Sequence, residues 1–180
     1  MKGWRKLAGV LACCLSLLPV HGCRVYIPDW NKQENKRLEA LLEAIQEEDR
    51  EGLKAMFSPR AIEEAEDFDA GMDYLLSMFQ GEVQSWEIPG GGGGPVRESI
   101  RPNGRSVSIR ARYTVVTDQD TYTFLMLDYL MDTLEPDREG LYTLRVVRQA
   151  DEETQLARYW EDMILPGIYQ PEQEASDDSL

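Results

Sequence analysis

The chain has 180 residues, 42% of them hydrophobic and 29% charged, a globular composition sized for one domain. Its 19 Lys and Arg stand against 33 Asp and Glu, a formal charge of −14. That balance argues against nucleic acid as a partner, because phosphate binding needs a basic footprint.

The first element reads as an export signal. Lys2, Arg5 and Lys6 precede a largely apolar run from Leu7 to Leu18. As a helix this run reaches about 18 Å, short of a roughly 30 Å hydrocarbon core, so a cleaved signal peptide over residues 1–22 is expected rather than a membrane span. Val20-His21-Gly22-Cys23 resembles the bacterial lipobox, with His21 a departure from its usual pattern. The resemblance implies that Cys23 carries diacylglycerol and becomes the first residue, anchoring the protein to the cell membrane on its extracytoplasmic face. An ordinary signal peptide with an incidental Cys23 is the alternative.

Removal of residues 1–22 takes away His21, Cys13 and Cys14, and lipid occupies Cys23. No intradomain disulfide, histidine or thiolate metal site, or histidine-based triad is then available, and no cofactor is expected. Residues 23–33 read as a tether broken by Pro28 and Asn31, with Trp30 able to dock on the domain. Residues 34–170 read as one domain, and 171–180 as an acidic disordered tail.

Within the domain, Leu38, Leu41, Leu42 and Ile45 follow helical spacing. Asp49 is placed to cap a further turn carrying Leu53, Met56 and Phe57, and Ser58-Pro59 is a strong start for a helix through Ile62 and Ala65. Phe68, Met72, Leu75, Leu76 and Phe79 form another helical set, ended by Gly81. The pattern then becomes strand-like. Val83–Ile88 is followed by a glycine-rich flexible connection, Gly90 to Gly94, and then by Val96–Ile100 and a Pro102-Asn103-Gly104 turn. Ser106–Thr117 alternates Val107, Ile109, Ala111, Tyr113 and Val115 against Ser108, Arg110, Arg112 and Thr114. Asp118-Gln119-Asp120 joins it as a hairpin to Thr121–Met131, and Leu141–Arg148 is a further strand. Asp151-Glu152-Glu153 suits the start of a C-terminal helix burying Leu156, Tyr159, Trp160, Met163 and Ile164. Helices first and a meandering antiparallel sheet second make an α+β domain.

Ala44-Ile45-Gln46-Glu47-Glu48-Asp49 through Phe57-Ser58-Pro59 resembles the opening of the nuclear-transport-factor-2-like fold, shared with ketosteroid isomerase. Asp132 to Asp137 with Gly140-Leu141-Tyr142, and Pro166-Gly167-Ile168-Tyr169, resemble an uncharacterised family of bacterial lipoproteins with that fold. The resemblance spans residues 34–170 and implies helices packed on a curved, cone-shaped sheet. It carries no activity with it.

Several segments invite chemistry. The glycine run lacks the helix and lysine of a phosphate loop, and Asp118-Gln119-Asp120 lacks the glycine and glutamate of a calcium loop, so both read as connections. Asp128 stands with Tyr113, Tyr122 and Tyr129 on adjacent strands, the residue types of an isomerase-like base and oxyanion hole. The ordinary reading is a set of core tyrosines and a solvent-facing aspartate. Residues 33–87 carry a net charge of −10, whereas residues 96–117 carry five arginines against Glu98 alone. Arg110 and Arg112 are therefore candidate anion-binding residues, since arginine suits bidentate recognition; pairing with acids elsewhere is the alternative. Phe124–Met131 is apolar on both faces, which requires a second cover: the last helix, or failing that a second copy in a homodimer.

These readings converge on a lipid-anchored, non-catalytic binding or interaction module for an unidentified protein or small molecule. The alternative is a small-pocket enzyme or carrier of ketosteroid-isomerase type.

Overall fold

The computed structural model describes residues 28–156 and 164–171. Four helices come first: α1 (Trp30–Gln46), α2 (Arg50–Met56), α3 (Pro59–Glu64) and α4 (Phe68–Met78). Each begins on a short polar side chain that accepts a backbone N–H. Asp29 accepts from Lys32, Asp49 from Gly52, Ser58 from Ala61 and Asp67 from Ala70. Such caps are worth about 1 kcal/mol each and matter most where a helix is too short to propagate on its own. The Asp49 and Ser58 caps are those expected from the sequence. The Asp29 cap moves a boundary, because residues 30–33, assigned to the tether, form the first turn of α1, and Trp30 packs under the Arg105 guanidinium.

The strands are β1 (Val83–Glu87), β2 (Val96–Arg101), β3 (Gly104–Thr117), β4 (Thr121–Asp132), β5 (Gly140–Arg148) and β6 (Gly167–Ile168), with α5 (Glu152–Gln155) between the last two. They form a curved, unclosed sheet in the order β1-β3-β4-β5-β6, antiparallel except for β5–β6. β2 pairs with β3 along the same edge as β1, so the two short strands lie end to end on one long neighbour. The glycine run makes the step between them. Gly91 N–H donates to the Ile88 carbonyl, and Gly94 lies so close to the Arg110 carbonyl that a Cβ would sit 2.1 Å from it. This expected flexible connection is thus seated on the sheet at its far end.

Two bulges bend the sheet near the middle of β4. Leu130 is the extra residue against β3, and Tyr142 the extra residue of β5. A bulge re-aims side chains locally and increases curvature. Here both flank Asp128 and Tyr129.

The helices cover one face. Leu38, Leu41, Leu53, Met72 and Leu75 pack with Tyr113, Tyr122, Phe124, Met126 and Leu144 in a single core, each fully or almost fully buried. Burying one such side chain contributes about 1.5–3 kcal/mol. The opposite face of β4 is also buried at Leu125 and Leu127. On that side Thr123 donates to Glu152 of α5, Arg145 to the Gln155 carbonyl and Thr143 to the Leu165 carbonyl. The segment after β5 therefore lies against this face at both of its described ends. The expected continuation of its helix through Tyr159, Trp160 and Met163 falls outside the described residues. Two details of that expectation are corrected. Ile164 is 56% exposed rather than buried, since it sits in the turn that leads to Pro166. Asp151 occupies the cap position without a side-chain cap bond, at the point where a 3₁₀ turn over Gln149–Asp151 runs directly into α5.

Candidate functional site

Chemistry gathers on both sides of β4. On the face turned away from α1, a cavity of about 830 Å³ is bounded by β2, β3, β4 and the α3 side chains Arg60 and Glu64. Alternation along the strands brings Arg97, Ser99, Ser106, Ser108, Arg110 and Tyr129 to this basin. The register sets Arg97 opposite Ser108, so Arg110 is its diagonal neighbour, about 7–8 Å away at Cα.

Neither Arg97 nor Arg110 has a hydrogen-bond or ion-pair partner for its guanidinium among the described residues. The other two arginines of the basin are held. Arg60 is bound to Glu135 and in a fork to Asp137, and Arg138 Nε donates to Asp132 Oδ2 at 3.0 Å while its guanidinium lies 4.3 Å from the centre of the Tyr129 ring. Asp132 is itself buried and also accepts from Leu134 and Glu135 N–H. Although burial works the other way, the Arg138 and backbone bonds hold its carboxyl below the usual range. Tyr142 packs edge-on to Tyr129 and donates to Glu64; burial and that bond push its hydroxyl up to about 12.

The two arginines singled out from sequence separate. Arg110 lines the basin, but Arg112, two residues further along β3, reaches α5 and is ion-paired with Glu152. It follows the alternative reading of pairing with an acid elsewhere. Arg105 likewise pairs with Glu98 at 2.6 Å. Arg97 was not singled out individually, because strand alternation says which residues share a face and not which acids come within reach of it.

On the α1 side, Asp128 is fully buried, which corrects the solvent-facing expectation. The bulges and the inward alternation of β4 aim it beneath α1, where Arg37 Nε donates to Oδ2 at 2.6 Å. Glu34, one turn earlier on the same helix, is also fully buried. Burial, followed by the Asp128 charge, raises the Glu34 carboxyl to about 9. Burial raises the Asp128 carboxyl too, against the pull of the Arg37 charge and hydrogen bond. Tyr113 donates to Asn35 at 2.9 Å, and its hydroxyl is pushed up by burial and then by the charges of Glu34 and Asp128.

Of the four residues grouped from sequence, the structure unites Asp128 and Tyr113 electrostatically. Tyr122 points to the same face but caps the end of α4, accepting from Gln80 N–H, and Tyr129 turns to the opposite face. Glu34 and Arg37 were missed. Their signal was the apolar stripe of α1 itself: stepping back four residues from Leu38 lands on Glu34, a carboxylate on the core face.

A second groove of about 600 Å³ between α1 and β1 is lined by Glu39, Glu43, Glu47 and Glu82 with Trp86. This groove is lined by four glutamates and no arginine, whereas the basin brings Arg97 and Arg110 together with Arg60 and Glu64 of α3. Among the described residues, no helix is long and apolar enough to cross a membrane, and no cluster of three or more His, Cys, Asp or Glu is placed to hold a metal ion.

No curated protein matches the chain. The family match runs from residue 40 to 149 and takes in Arg97, Arg110 and Asp128, while Glu34 and Arg37 lie just before it. By that match the chain belongs to the family described as a domain of unknown function (DUF5104).

Proposed function

We propose that this protein is a lipid-anchored, extracytoplasmic, non-catalytic binding module of nuclear-transport-factor-2-like fold, and that its basin takes a small anionic ligand. One observation carries the reading: Arg97 and Arg110 line an 830 Å³ basin without partners among the described residues, while Arg60 and Arg138 in the same basin are locked to acids. A guanidinium without a carboxylate offers a planar fork of donors, which suits phosphate or carboxylate. The hydroxyls of Ser99, Ser106 and Ser108 stand beside them as further donors.

The test is a thermal-shift series on the chain in mild detergent, with inorganic phosphate, small dicarboxylates and cell-wall fragments. A saturable rise that falls with added salt and disappears in Arg97→Gln and Arg110→Gln is expected, because a ligand bound only by the native state stabilises it by mass action. A panel that leaves the melting temperature unchanged would remove the reading. For the anchor, Cys23→Ala is expected to abolish incorporation of labelled fatty acid and to release the protein from membranes.

The second reading, a small-pocket enzyme or carrier, draws on the raised Glu34 carboxyl beside Asp128 and Tyr113, a raised carboxyl being a recurring feature of acid–base sites. Both carboxyls are fully buried and neither lines the two cavities above, so the basin is favoured. A steroid-like or other apolar ligand whose stabilising effect vanishes in Asp128→Asn would reverse that preference.

A further inference from the structure

The buried acids beneath α1 have more acceptor atoms than the protein supplies donors. Arg37 serves Asp128 Oδ2, but Asp128 Oδ1 and both oxygens of Glu34 are buried with no protein donor. If both carboxyls were ionised, one guanidinium would face two negative charges in the interior, an arrangement that burial penalises heavily. A single proton answers both deficits: it makes Glu34 a donor to Asp128 and leaves one carboxylate opposite one guanidinium.

We propose that Glu34 and Asp128 share one proton and form an acid–acid latch that fastens the first turns of α1 to β4, closed while the proton is held and opened when alkali removes it. Among the described residues, the charged and titratable groups facing the pair are few. Arg37 comes from α1 and Tyr113 from β3, the latter a neutral hydroxyl that donates to Asn35. From α2 comes the Met56 carbonyl, 3.4 Å from Arg37 Nη1, and β5 sets Leu141 opposite Asp128. None of these supplies a second positive charge to hold Glu34 ionised. Its carboxyl at about 9 keeps the latch closed through neutral pH. The latch lies one turn before Leu38, at the N-terminal end of the buried stripe of Leu38, Leu41, Leu42 and Ile45.

The sign follows from linkage. Glu34 is raised in the native state from an ordinary value of 4.5, so folding takes up a proton between about pH 4.5 and 9. The stability it confers is complete below 4.5 and is lost as pH rises through 9. Over that window this one group lowers the folding equilibrium constant about tenfold per pH unit.

Infrared spectroscopy of the unaltered protein at pH 7 is expected to show the carbonyl stretch of a buried carboxylic acid, fading above pH 9. Glu34→Gln, whose amide can donate to Asp128 in place of the proton, is expected to lose that band and to flatten the fall in stability between pH 5 and 9. Absence of the band in the unaltered protein would overturn the proposal even if the variant failed to fold. An unchanged pH slope in Glu34→Gln would do the same, as would a drop in melting temperature on treatment with a chelator, which would put a cation where the proton is assigned.

Discussion

The two sides of β4 treat charge in opposite ways. Towards α1, Asp128 and Glu34 are drawn into the core, where Arg37 is ion-paired with Asp128 and burial raises the Glu34 carboxyl. Towards the basin, one residue further along the strand, Tyr129 looks onto arginines of which two have no partner among the described residues. Burial makes the difference. In the interior an unmatched charge costs several kcal/mol, so its presence there demands a partner; at the surface water and salt screen it, and it stays available to a ligand. The first arrangement serves the fold and the second can serve recognition.

The largest expected break comes from the buried side. Arg37→Ala leaves the Asp128 charge uncompensated and is expected to cost about 3–5 kcal/mol at pH 7. Without Arg37 the Asp128 carboxyl rises further, so the loss should shrink as pH falls and Asp128 takes a proton. Urea denaturation at pH 5 and pH 8 measures both effects, and an equal loss at the two values would contradict the charge argument.

Gly140 tests the contact that brings the helices to β5. Its φ of +122° is strained for other residues, and a Cβ would lie 2.9 Å from Ser58 N and 3.1 Å from the Met56 carbonyl. Gly140→Ala is expected to cost about 1–3 kcal/mol, read as a lower denaturation midpoint at unchanged slope.

The basin side should respond in binding and hardly at all in stability. Arg110→Gln is expected to leave unfolding within about 0.5 kcal/mol of the parent, while the phosphate-induced rise in melting temperature disappears. Arg112→Gln sharpens the contrast, since its ion pair with Glu152 is half-exposed and worth about 0–1 kcal/mol. That variant should keep the ligand response intact. If Arg110→Gln and Arg112→Gln behaved alike, the distinction between an open and a paired arginine would fall.

Much of this was legible in the chain. Asp49 and Ser58 cap as expected because capping is a local event, settled within four residues. The inward set Val107 to Val115 is buried because a strand's period of two leaves only two choices of face, and the apolar residues decide between them. The site was harder to see. Asp128 was visible as a residue type, but its burial depends on two bulges and on a helix ninety residues earlier. Glu34 lies on the apolar stripe of α1, where composition makes it one more acid in an acidic segment. Arg110 and Arg112 were indistinguishable by pattern, and only α5, folding back with Glu152, separates them. Long-range pairing, not propensity, determines which charges become a site.

The far side of the sheet has one more consequence. β5 would be a bare edge, but its backbone is engaged from two directions. Ser58 N–H bonds the Leu141 carbonyl, and Tyr169 N–H bonds the Leu144 carbonyl beyond the parallel step of β6. Strand-adding partners and misfolded copies need a run of free carbonyls and amides in register. Interrupted at Leu141 and again at Leu144, this edge is a poor template for recruiting another polypeptide. On the opposite edge the glycine step divides the sheet border into two short strands, β1 and β2.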